Sequence, residues 1–124
     1  MKTVLIFFTL SILFSCTDQQ QEKQALRHVV MFKWNESATP EKILEVSQLF
    51  ASLPSKIDVI QDFEWGVDVS VEGLTKGFTH CYIVTFANEE GRNTYIPHPE
   101  HKAFGDALGP YLEDVLVLDF IVTK

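Results

Sequence analysis

Tyr95-Ile96-Pro97-His98-Pro99-Glu100-His101 places a phenol and two imidazoles within seven residues of one another. Such groups move protons near neutral pH. A neutral imidazole can take a proton from carbon beside a carbonyl, and a phenol within hydrogen-bond reach can stabilise the oxyanion that forms. That chemistry makes His101 the candidate base and Tyr95 the candidate donor. Pro97 and Pro99 bracket His98, so the chain must bend there and re-enter a helix with His101 on its first turn.

Two further histidines belong to strand-like runs. His28 shares alternation with Val30, Phe32 and Trp34, and His80 with Tyr82, Val84 and Phe86, so all are expected to face one apolar cavity beneath the helices. A mostly hydrophobic pocket with a few convergent polar groups suits a planar or aromatic small molecule. The plainer alternative makes His28 and His80 hydrogen-bonded core residues and His98 a surface residue beside a turn. His98 and His101 are three apart and could share a helical face toward a metal. The prolines disturb the helix between them and Glu100 would point elsewhere, so neither a metal nor another cofactor is expected.

The elements that must hold these groups follow from the spacing of apolar residues. Leu26–Trp34 reads as a strand, and Thr39-Pro40-Glu41 opens a helix, with Thr39 as N-cap, Pro40 in the first turn and Glu41 complementing the dipole. Ile43, Val46, Leu49, Phe50 and Leu53 make its apolar face, which ends at Pro54. Val59–Val69 and Phe78–Phe86 read as strands joined by a polar, glycine-containing connection. Asn88-Glu89-Glu90 starts a helical segment to Leu108, interrupted at the two prolines and closed by Gly109-Pro110, and Val115–Val122 is the last strand. Strand, helix, strand, strand, helix, strand is the α+β order of a ferredoxin-like four-stranded antiparallel sheet with both helices on one side.

The first, third and last strands are apolar on both faces. The last strand, for example, alternates Leu116, Leu118 and Phe120 with Val115, Val117 and Ile121. Helices cover one face only, and a second bare face would exceed the apolar patch that soluble monomers usually carry. A second copy of the same sheet is the simplest cover, which predicts a homodimer.

Residues 1–15 are not expected to join this fold. Lys2, the short apolar run Val4–Leu13 and then Ser15-Cys16 read as a signal peptide whose core is too short for a permanent membrane span. Its end resembles a bacterial lipobox, which makes Cys16 the lipidated first residue of the mature chain and places the protein at the bacterial cell envelope, periplasmic or outward-facing. Residues 16–25 are polar and Gln-rich, as a flexible tether requires. One barrel-forming domain, residues 26–124, remains. Cleavage removes only Lys2 among the charged residues, leaving nine Lys and Arg against seventeen Asp and Glu. An acidic surface without an arginine cluster argues against nucleic acid as a partner, and membrane contact is expected through the anchor alone. Cys81, the only other cysteine, reads as a small hydrophobe within a strand.

Several motifs in order, His28-Val29-Val30-Met31-Phe32-Lys33, Trp65-Gly66, Gly77-Phe78-Thr79-His80, His98-Pro99-Glu100-His101 with Phe104, and Asp114 to Phe120, resemble the stress-responsive A/B barrel (Dabb) family. The resemblance spans Leu26 to Val122 and implies a dimeric α+β barrel. The chain is also similar to plant polyketide cyclases of the olivetolic acid cyclase type, which close a linear polyketide by aldol condensation without a cofactor. That similarity implies Tyr95 and His101 as catalytic residues, with His28, Val30, Phe50, His80, Tyr82 and Phe104 around the ligand. Phe50 stands where those cyclases carry a pocket tyrosine, so the same substrate does not follow. Three readings stay open: a cofactor-independent cyclase or isomerase, a protein that sequesters a small hydrophobic compound, and a structural stress protein with a filled interior. A haem or aromatic monooxygenase of the wider barrel superfamily is weaker, because no histidine is singled out as an axial ligand.

Overall fold

The computed structural model describes residues 24–123. The expected signal peptide at 1–15, Cys16 and the expected tether up to residue 23 lie outside the described residues. Among the described residues, no helix is long and apolar enough to cross a membrane.

The chain runs β1 (Leu26–Trp34), α1 (Pro40–Ala51), β2 (Asp62–Val67), β3 (His80–Phe86), α2 (Glu89–Tyr95), α3 (Pro99–Leu108) and β4 (Leu112–Ile121). Short 3-10 turns at Leu53–Ser55 and Gly109–Tyr111 follow α1 and α3. The strands form one antiparallel sheet in the order β2-β3-β1-β4, the ferredoxin-like arrangement. β2 is shorter than the expected Val59–Val69, because residues 57–60 turn inward and bury Ile57 and Ile60 against the core. β4 begins at Leu112, three residues before its expected start, and pairs with β1 along its whole length.

Local signals set the helices as the spacing predicts. The Thr39 hydroxyl accepts from the Lys42 N–H at 3.3 Å, and the Asn88 side chain accepts from the Gly91 N–H at 3.0 Å, each satisfying a donor that a helix start leaves open. α1 buries Val46, Ser47 and Phe50 on the sheet. Ser47 donates to the Ile43 carbonyl at 2.7 Å, so its oxygen accepts from the Tyr82 hydroxyl at 2.6 Å. Burial of that phenol pushes its pKa up to about 12, with the Ser47 bond opposing the shift.

The core lies between the sheet and the helices. Phe32, Phe50, Tyr82 and Phe104 pack there with ring centroids 4.4 to 6.5 Å apart, together with Leu26, Val84, Phe86 and Tyr95. On the opposite face, Leu116, Leu118 and Phe120 are exposed by 41%, 58% and 46%, so the second apolar face read from alternation is real in the single chain. Cys81 sits on this face, half-buried, and burial raises its thiol pKa.

Candidate functional site

The break between α2 and α3 sets the position of His101. Pro97 and Pro99 have no N–H to continue the helical ladder, and the His98 N–H turns back to the Tyr95 carbonyl at 3.0 Å. The Glu100 N–H, which would otherwise satisfy the Ile96 carbonyl, is taken by the His98 ring Nδ1 at 3.1 Å, making His98 the N-cap of α3. The freed Ile96 carbonyl meets His101 Nδ1 at 2.8 Å. A carbonyl oxygen only accepts, so Nδ1 carries the proton and Nε2 keeps a lone pair. Burial lowers the His101 pKa below the usual imidazole value, the Ile96 bond opposes this, and the charges of His28 and His98 add to the lowering.

Tyr95, the last residue of α2, is fully buried against that imidazole, with ring centroids 4.2 Å apart. Burial holds its phenol well above the ordinary range, so it stays protonated at any physiological pH. Its hydroxyl is the only fully buried side-chain polar atom without a hydrogen-bond partner among the described residues. Such an atom is costly unless something else satisfies it.

His28 also packs against Tyr95, edge-on at 5.7 Å. β1 pairs His28 with Asp119 of β4, and the His28 Nδ1 lies 2.6 Å from Asp119 Oδ1. Arg92 of α2 donates from Nη1 to the second carboxylate oxygen at 2.9 Å. Burial pushes the Asp119 carboxyl upward, but the bonds from His28 and Arg92 outweigh it and leave the pKa below the usual carboxylate value. An ionised carboxylate only accepts, so His28 also carries its proton on Nδ1.

These groups border one cavity of about 250 Å³. His28, Tyr95 and His101 line it together with Val30, Phe50 and Phe104, and Phe32, Leu108, Val115 and Val117 extend the apolar wall. The polar atoms gather where α2 and α3 meet β1 and β4. Phe50, stacked on Phe104 at 4.4 Å, makes the other end entirely apolar.

The family profile described as Stress responsive A/B Barrel Domain matches residues 26–122. The chain belongs to that family. Among relatives, it is 36% identical over 105 residues to the stress-response A/B barrel domain-containing protein HS1 of Arabidopsis thaliana, covering 85% of this chain and 96% of that protein. It is 31% identical over 100 residues to olivetolic acid cyclase of Cannabis sativa, covering 81% of this chain and 99% of that enzyme. A dimeric ferredoxin-like protein of unknown function from Thermobifida fusca superposes with a TM-score of 0.68 at 26% identity, covering 82% of this chain and 93% of that one.

Of the residues the sequence assigns to the A/B barrel site, His28, Val30, Phe50, Tyr95, His101 and Phe104 converge. His80 and Tyr82 do not line the cavity. Parity puts them on the same face as His28, but β3 pairs His28 with Val84, so His80 lies four residues further along, about 13 Å away. Phe32, Phe50 and Tyr82 fill the space between. His80 is instead a packed, bonded histidine: its Nδ1 accepts from Trp34 Nε1 at 3.0 Å, Trp65 stacks on its ring, and burial lowers its pKa. Sequence reasoning missed Asp119 and Arg92. Asp119 had a readable signal, because it shares alternation with Val115 and Val117 and is the lone charge within the expected strand Val115–Val122. Arg92 had none, since one turn of a short polar helix does not show which side chain turns inward.

Proposed function

We propose that this A/B barrel protein is a cofactor-independent acid/base enzyme acting on a small, uncharged, apolar or aromatic carbonyl compound, of the cyclase or isomerase kind. The observation that carries this reading is the buried, partnerless hydroxyl of Tyr95, a residue that lines one cavity with His101 and packs its ring against that imidazole at 4.2 Å. His101 Nε2 takes a proton from the carbon beside the substrate carbonyl. The C–H electron pair moves into an enolate, whose oxygen accepts a hydrogen bond from Tyr95. The enolate carbon then either recovers a proton from His101 or attacks a second carbonyl of the same molecule, closing a ring while His101 returns its proton to the new alkoxide. The substrate is compact, since about 250 Å³ lies just under the range of ~300–1,000 Å³ usual for ligand pockets. It is uncharged because the one arginine near the site is already paired with Asp119. The similarity to olivetolic acid cyclase supports the reaction class, and Phe50 argues for a different substrate.

Deuterium incorporation beside the carbonyl of phenylacetone in D2O, followed by proton NMR, tests the chemistry without knowledge of the natural substrate. Exchange above the buffer rate that falls roughly 100-fold or more in His101→Ala is expected. Equal exchange by the two proteins, or none by either, rejects the enzyme. Saturation-transfer binding of phenylacetone without exchange then leaves the ligand-sequestering reading.

We read the working assembly as a homodimer, with the exposed face of Leu116, Leu118 and Phe120 covered by a second sheet, a reading supported by relatives described as dimeric. We also read residues 1–15 as an export signal and Cys16 as a lipid attachment point at the bacterial cell envelope. Labelling of cells with an alkyne-bearing fatty acid is expected to mark the wild-type protein and not Cys16→Ser. Equal labelling of both rejects the anchor.

A further inference from the structure

We propose that Arg92 is a positioning residue of this site: by gripping Asp119 it fixes His28 as the Nδ1–H tautomer and so presents His28 Nε2 to the cavity as a second proton acceptor besides His101. The inference rests on the acid/base reading above only for what the second acceptor does, and stands on geometry for how it is held.

Asp119 has two oxygens and two partners. Oδ1 meets His28 Nδ1 at 2.6 Å and Oδ2 accepts from Arg92 Nη1 at 2.9 Å, so the carboxylate is clamped from β1 on one side and α2 on the other. The guanidinium is itself oriented, because its Nε and Nη2 both reach the Asn93 side-chain oxygen at 3.1 Å. A planar fork held at two nitrogens fixes the direction of the third. Arg92 and Asp119 are both mostly withdrawn from solvent, where such a pair is screened less than at an open surface. With Nδ1–H committed to the carboxylate, only Nε2 of His28 is left for chemistry, and His28 is a lining residue of the cavity. The groups facing His28 are Asp119 from β4, Tyr95 from α2 and His101 from α3, besides the apolar ring of Phe86. The two imidazoles thus present the same edge, one tied to a carboxylate and the other to a carbonyl. Either Nε2 can take a proton from carbon and later return it to the enolate carbon or to the new alkoxide, so a substrate seated nearer His28 meets a base that a lone His101 does not provide.

The test uses the folded full chain and needs no substrate. Long-range proton–nitrogen correlation spectra report the His28 tautomer, assigned by its absence in His28→Gln, and carbon-detected NMR reports the Asp119 carboxyl titration. Arg92→Met is expected to move the Asp119 midpoint upward and to replace the single Nδ1–H pattern of His28 by a mixture of tautomers. Arg92→Gln, which keeps donors but loses the charge, guards against a folding defect in Arg92→Met and is expected to move the carboxyl in the same direction. An unchanged midpoint and an unchanged tautomer in both variants overturn the assignment, since Arg92 would then be a surface ion pair only. Where phenylacetone exchange is active, Arg92→Met is expected to lose roughly tenfold in kcat with KM little changed. An absent exchange activity with the NMR shifts present rejects the enzyme reading and leaves this inference standing, while the reverse pattern rejects the inference alone.

Discussion

The Tyr95 hydroxyl lowers the stability of the protein where it stands. A buried donor with no partner costs about 1–3 kcal/mol, so Tyr95→Phe is expected to raise stability by roughly 1 kcal/mol or more in denaturant unfolding, while phenylacetone exchange is lost. A purely structural tyrosine would show no such opposition between stability and activity. The neighbouring His101 sets the pH dependence. Because burial lowers its pKa, the neutral base persists to more acidic pH than a free imidazole, so the exchange rate should rise with pH to a plateau through a midpoint below 6.5. The Tyr95 phenol, shifted upward, keeps the alkaline side flat through the range in which an ordinary tyrosine ionises. A midpoint above 6.5 contradicts the assignment of His101 as the base. The same shifts govern stability. In the folded state His101 and His80 bind protons less readily than the unfolded chain does, so stability holds above about 6.5 and declines as pH falls through that unfolded value. Asp119, lowered in the folded state, adds stability that is lost only at lower pH, as its own folded value is crossed.

At the scale of elements, the junction of α2 and α3 does the positioning. His98 has a histidine's chemistry but is used as a helix cap, with Nδ1 accepting the Glu100 N–H. His98→Ala is therefore expected to cost about 1 kcal/mol of stability, the usual effect of losing an N-cap, with exchange reduced only a few-fold. His98→Asn, which can cap as well, should recover the stability. A loss of exchange in His98→Ala as large as that in His101→Ala would make His98 a participant in the chemistry. The prolines on either side release the Ile96 carbonyl that holds His101, so the bend and the tautomer have one cause.

For the whole molecule, the exposed face of the sheet decides the assembly. Leu118 points away from the helices and is 58% exposed, so a charge there leaves the helix-side core untouched. Leu118→Glu is expected to convert a dimer into monomers in sedimentation velocity while the far-ultraviolet circular dichroism stays unchanged, since an unpaired carboxylate is not tolerated between two apolar sheets. A wild type that sediments as a monomer would refute the dimer directly. The enzyme reading survives that outcome, because every group it invokes comes from one chain.

The order of strands and helices was legible in the sequence because it depends on local rules. Thr39 and Asn88 cap the helices they precede, Pro97 and Pro99 break the helical ladder, and the alternation in β1, β3 and β4 assigns each side chain to a face. Those rules also brought out Tyr95, His101 and His28, whose positions depend on a turn and on parity. They could not separate His80 from His28, because parity names a face and says nothing of distance along it. That separation comes from the register His28↔Val84, which is settled by long-range pairing of strands and by the packing of Phe32, Phe50 and Tyr82 between the two histidines. Tertiary structure alone also joined Asp119 and Arg92 to the site, two charges 27 residues apart whose ion pair exists only once β4 lies beside β1 and α2 folds across its end. Local sequence determines which way a side chain points, but only the packed chain determines what it meets.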